Sequence, residues 1–196
     1  RIDGGVRAPW PMAVMMGTLN IAYSYSVIYV TEQTLPSGLA SLLWGVFPMM
    51  MAVAGAVFLG EVLRTKHVVG FLGGLLGLVV LFFTDLQRIG ESGVMTALFL
   101  LTSPLASASS QVVIKKKAAG VSAALLTRDA LGVGALLLVP AAWILERDAA
   151  VHWTGGAVAS VVYLAVVATA LAFFLYYWLL RHVRSSKLST IAYITP

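Results

Sequence analysis

The chain has 196 residues, of which 60% are hydrophobic and 11% charged, with a formal net charge of +5, 3 His and 0 Cys. Soluble globular domains carry roughly 25% charged residues, so a water-soluble fold is excluded. The lack of cysteine removes both disulfides and thiolate metal sites. Apolar residues gather in charge-poor stretches, each near the roughly 20 residues that a helix needs to cross ~30 Å of hydrocarbon. In chain order these predicted spans are A (Ala8–Thr31), B (Gln33–Gly60), C (Val68–Thr84), D (Ser92–Ile114), E (Ala118–Leu145, broken near its start by Arg128 and Asp129) and F (His152–Leu180). A further apolar run, G, begins at Leu188 and is cut off at Pro196. The chain opens on Arg1 with no signal peptide, so an internal fragment of a longer protein is expected. The fold class that follows is an all-α membrane protein, a polytopic helical bundle.

Alternating the loops separates the basic residues. One side receives Arg1, Arg7, Arg64, Lys66, Lys115, Lys116, Lys117, Arg128, Arg181, Arg184 and Lys187, and the other only Arg88 and Arg147. Basic loops stay cytoplasmic, so the first side is expected to face the cytoplasm, as in a bacterial inner membrane. The Lys115–Lys117 run reads first as this topology signal, with anionic lipid or nucleic acid a lesser reading.

The chain also matches itself weakly at an offset of 148 residues: Tyr29, Ser37, Ser41 and Pro48 fall on Tyr177, Ser185, Ser189 and Pro196. An odd number of crossings separates the copies, so they would be inverted, as in many secondary transporters. Pro48 and Pro196, at matching depths, are then candidate hinges, because an interior proline removes a helix hydrogen bond.

Span A is rich in polar residues, and its Gly17, Asn20, Ser24 and Thr31 share a stripe. An unpaired amide in hydrocarbon costs several kcal/mol, so Asn20 must face protein or a wet cavity. Span D offers Ser103, Ser107 and Gln111 every four residues, beside Pro104, and such faces serve more often for packing than as sites. In span F the polar candidates are Tyr163, Thr169, Tyr176 and Tyr177; Thr169 lies near mid-span, whereas Tyr176 and Tyr177 with Trp178 read equally as an interfacial aromatic belt. The expected substrate-binding set is Asn20, Tyr23, Ser24, Ser107 and Thr169. The pairs Gly70/Gly74 and Gly73/Gly77 in span C suit close helix packing, including homodimer contacts. Glu61 is expected in a surface salt bridge near Arg64 and Lys66, and Asp129 in a local pair with Arg128. No acidic residue lies at mid-span, which leaves proton coupling without an obvious carrier.

The run from Tyr29 to Pro48, followed by Gly60-Glu61 and the glycines of Gly70–Gly77, resembles the EamA-type branch of the drug/metabolite transporter superfamily. So do Ala168–Leu180 and the stretch from Ser185 to Tyr193-Ile-Thr-Pro196. The resemblance implies ten helices in two inverted five-helix repeats. Residues 1–84 would then end the first repeat (spans three to five), and 92–196 would start the second (spans six to eight and part of nine). It further implies a carrier for small metabolites, often an exporter. The expectation is therefore an alternating-access transporter of a small metabolite or amino-acid-like solute. Its partners would be that substrate and the lipid bilayer, not nucleic acid. No cofactor, metal ion or catalytic residue is expected, and no His/Asp/Glu cluster has metal spacing. The alternatives are a non-transporting sensor or scaffold and, less favoured, an intramembrane enzyme.

Overall fold

Proline, glycine and small polar caps set where the apolar stretches become helices. The computed structural model describes residues 6–63, 65–81, 83–87, 91–117, 119–147, 153–188 and 190. Span A starts after Pro9 and comprises α1 (Trp10–Met16), a π-helical segment (Gly17–Tyr23) and α2 (Ser24–Glu32). Span B starts after Pro36 as α3 (Ser37–Trp44), turns at Gly45 and Val46, and continues as α4 (Phe47–Leu59). Pro48 thus lies in the first turn of α4 rather than in a helix interior. There its missing N–H leaves no intrahelical bond unmade, so the interruption of span B falls just before it. Gly45 has no room for a side chain, because a Cβ would sit 2.5 Å from Leu78 Cδ1 and 2.9 Å from the Leu42 carbonyl oxygen. At the far end Gly60 adopts a left-handed φ of 66° and the Glu61 N–H reaches back to the Gly55 carbonyl at 3.1 Å. That is a glycine-terminated helix end, and it accounts for the Gly60-Glu61 pair.

Span C is α5 (Thr65–Leu81), followed by the short α6 (Phe83–Gln87). Span D is α7 (Glu91–Lys117), which contains Pro104. Span E is α8 (Ala123–Leu145), whose Ser122 hydroxyl caps the Leu125 N–H at 3.3 Å. Arg128 and Asp129 do not break it; they lie in its second turn. Span F comprises α9 (Gly155–Tyr163), a second π segment (Leu164–Leu171) and α10 (Ala172–His182). The turn α11 (Ser185–Leu188) opens span G, while Pro196 and most of G lie outside the described residues. Among the described residues five stretches are long and apolar enough to cross a membrane: Trp10–Glu32, Ser37–Leu59, Gly93–Lys117, Ala123–Leu145 and Gly155–His182. Span C, apolar over Thr65–Val80, is shorter. Shifting Gly17–Tyr23 by the 148-residue offset places it on 165–171, within the second π segment.

The central helix is α7, which packs against α2, α3 and α4, while the first π segment and α1 pack on α8, and α10 on α8. The contact between spans A and E depends on glycine. A Cβ on Gly17 would lie 2.5 Å from Val133 Cβ and 2.7 Å from the Ala130 carbonyl oxygen, and one on Gly134 would lie 2.4 Å from Ile21 Cγ2. Gly70, Gly73 and Gly77, by contrast, meet nothing within 4 Å among the described residues. Close packing on glycine is found within the described residues at Gly17, Gly45 and Gly134.

Candidate functional site

A polar seam runs along the buried face of α7. Its residues Ser103, Ser107, Gln111 and Lys115 recur every four positions, so they form one row, and the first three are almost fully buried. From Ser103 to Lys115 the row extends ~18 Å at 1.5 Å per residue, more than half of the hydrocarbon thickness. Spans A and F supply its partners.

Each expected residue of span A is buried or half-buried and engaged. Asn20 Nδ2 donates to Tyr177 Oη at 2.6 Å. The Ser24 hydroxyl lies 3.0 Å from that of Ser107 and also donates to the Leu19 carbonyl at 2.9 Å. Ser103 Oγ donates to the Ser24 carbonyl at 3.4 Å. Tyr23 Oη and Thr102 Oγ1 are 2.6 Å apart, and the Thr102 hydroxyl can pass its own proton to the Phe99 carbonyl. Thr31, on the same stripe as Asn20 and Ser24, bonds back to its own helix at the Val27 and Ile28 carbonyls. Thr169 stands apart in the second π segment, where it alone is partly buried and its neighbours are exposed.

Tyr176 and Tyr177 do not form the interfacial belt expected of them. Tyr177 is 2% exposed, stacks on Phe173 and accepts from Asn20, and Tyr176 donates to Gln111 Oε1. Only Trp178 is exposed. Thr102 is a seam residue that the sequence did not single out, and Tyr177 stood there as a polar candidate without a partner. The signal for Tyr177 was the need of Asn20 for a partner.

At the basic end the seam closes on charge. Lys115 Nζ lies 3.2 Å from Glu61 Oε1 and also donates to the Val183 carbonyl, tying the ends of spans B, D and F. Glu61 thus forms the expected salt bridge, but with Lys115, and both side chains are largely shielded. Beside it Val6 and Val121 form a one-residue bridge, and the Arg181 guanidinium donates to the Val121 carbonyl. Asp129 pairs with its neighbour Arg128 at 2.6 Å and also with Arg7 at 3.0 Å. Among the described residues no group of three or more His, Asp or Glu could hold a metal ion.

The seam is thus neutral along most of α7 and charged at one end, with its hydroxyl and amide groups bonded to one another. The chain is 25% identical over 191 residues to "Uncharacterized transporter YvbV" of Bacillus subtilis (strain 168). It is 25% identical over 185 residues to "Uncharacterized transporter YoaV" of the same organism, and 23% over 190 residues to "Protein PecM" of Dickeya dadantii (strain 3937). These alignments cover 97%, 94% and 95% of this chain but 62% of each relative's own length. A solved crystal structure shares the fold with a TM-score of 0.80 at 24% identity, over 96% of this chain and 64% of that one. The profile of one family matches residues 3–83 and 94–196, and with its multi-pass helices the chain belongs to the EamA-like transporter family.

Proposed function

We propose that this chain is the central part of a secondary transporter that moves a small metabolite or amino-acid-like solute, in the export direction, by alternating access. The observation that carries the proposal is that the seam's polar pairs join the two halves of the chain. Asn20–Tyr177, Tyr23–Thr102, Ser24–Ser107 and Glu61–Lys115 each link a residue before 85 to one after 91. Parting the halves would release these groups into a cavity lined by Asn20, Tyr23, Ser24 and Ser107, with Thr169 as its wall on span F. The charged lock at Glu61–Lys115 would keep the basic end, taken as cytoplasmic and in a bacterial inner membrane, shut.

The whole protein would have ten helices in two inverted five-helix repeats, divided within residues 85–91. Matching π segments in spans A and F support that symmetry, and π segments are frequent at functional sites. The hinge of span B would be the Gly45–Val46 turn with Pro48 as the first rigid residue beyond it, and Pro196 its counterpart. The neutral seam favours an amphipathic or zwitterionic substrate, and the absence of a seam carboxylate above Glu61 favours facilitated over proton-coupled movement.

The test is uptake by inverted vesicles carrying the full-length parent protein, screened against pooled labelled amino acids and metabolites with and without a pH gradient. Saturable uptake is expected, and Asn20→Leu with Thr169→Val should abolish it. Uptake unchanged by that pair would refute the site. Failure to take up any pool would favour a sensor or scaffold.

A further inference from the structure

The three lysines ending α7 part company. Lys115 turns into the bundle toward Glu61 and the Val183 carbonyl. Lys116 and Lys117 are exposed and belong to a different feature, a cleft of ≈ 380 Å³ between α4 and α7. Ala54 and Phe58 form its α4 wall, and Ser109, Val112 and Val113 lead along α7 to the two lysines. From Ser109 to Lys117 the cleft follows the helix for ~12 Å, so an apolar trough opens at the basic end of the bundle. Phe58 is 61% exposed beside it. The Ser109 hydroxyl spends its proton on the Leu105 carbonyl at 2.8 Å, which removes the one neutral donor from the wall. Neither Lys116 nor Lys117 has an ion-pair partner among the described residues.

We infer that this cleft is a binding site for an anionic phospholipid of the leaflet at the basic end. One acyl chain would lie along Ala54, Phe58, Val112 and Val113, and the phosphate headgroup would sit against Lys116 and Lys117. Charge complementarity selects this occupant. A neutral lipid or an apolar helix would fill the trough but leave two ammonium groups facing it unpaired, whereas basic pockets between membrane helices hold anionic headgroups. The site lies on the opposite side of α7 from the seam and does not depend on what the seam transports.

Native mass spectrometry of the full-length parent protein in detergent, titrated with phosphatidylglycerol and with phosphatidylcholine of the same chains, tests this. Phosphatidylglycerol should bind roughly thirtyfold more tightly, from about one kcal/mol for each of the two lysines. Lys116→Gln with Lys117→Gln should erase the preference, Ala54→Phe should weaken both lipids by filling the trough, and Lys66→Gln should change neither. Survival of the preference in the double lysine variant overturns the proposal, as does unchanged binding to Ala54→Phe. Competition by glycerol phosphate alone would show a headgroup site without the trough and overturns it equally. A fluorophore at Phe58→Cys should be quenched by brominated acyl chains. Shielding from them would mean that a further segment of the parent chain or a second copy covers the cleft, which also overturns it.

Discussion

Asn20 and Tyr177 offer a test in which the double variant should be healthier than either single one. Asn20 is 6% exposed and Tyr177 2%, and each meets the other at 2.6 Å. Tyr177→Phe keeps the ring stacked on Phe173 at 5.7 Å and edge-on to Tyr176 at 5.6 Å, so only the hydroxyl is lost. That leaves the Asn20 amide buried without this partner, at a cost of about 1–3 kcal/mol. Asn20→Leu strands the Tyr177 hydroxyl at a comparable cost. The hydrogen bond itself contributes less, about 0.6 kcal/mol on average and up to ~1.7 between membrane helices, because the separated helices also find partners. Removing both groups should therefore cost no more than about 1–2 kcal/mol. Thermal unfolding of the full-length parent in detergent, run as a double-mutant cycle, should show a coupling of about 2–3 kcal/mol. Simple addition of the two single costs would mean that the pair is not made in the working protein, and that the seam does not close at this point.

Gly17→Ala should destabilise by about 1–3 kcal/mol, since the new methyl would lie against the Ala130 carbonyl, which cannot move aside. Gly132→Ala on α8, with nothing within 4 Å, should be neutral or slightly stabilising, since alanine is the better helix former; equal melting shifts for the two would refute the A–E contact. Neutralising the lock with Glu61→Gln leaves Lys115 shielded against little more than a carbonyl and should cost on the order of 1–2 kcal/mol. Lys115→Gln on the same background should recover most of it, and thiol labelling of Asn20→Cys from the basic side should rise in the single variant and fall back in the double. Pro48→Ala should shift melting by less than about 1 kcal/mol, because proline at the first helical turn gives up no bond; a large loss would place Pro48 inside a continuous helix after all.

The sequence revealed the membrane class, the spans and their boundaries to within a few residues, because hydrophobic length and charged punctuation act locally. The buried stripe of Gly17, Asn20, Ser24 and Thr31, and the row of Ser103, Ser107 and Gln111, were also legible from spacing alone. Partnership was not. Tyr177 resembled an interfacial aromatic in its run of three, and only the approach of span A to span F gives its hydroxyl a buried partner. Lys115 looked like one member of a topology run, and only the left-handed turn at Gly60 delivers Glu61 to it. In span C, Gly70, Gly73 and Gly77 have room around them among the described residues. A glycine records permission for close approach, and whether a neighbour uses it is a tertiary matter.

A helix with one hydrogen-bond step too many carries a surplus residue, and that has a consequence for how such a chain tolerates insertion and deletion. Loss of one residue from an ordinary membrane helix turns everything before it by about 100° and misplaces a whole face. Within Gly17–Tyr23 or Leu164–Leu171 the wide turn can shed that residue and close into an α turn, keeping every backbone group bonded in a solvent that offers no substitute. Among the described residues, spans A and F thus hold π segments in which a change in length can be absorbed locally. Related chains that differ by one residue in a span should carry the difference there.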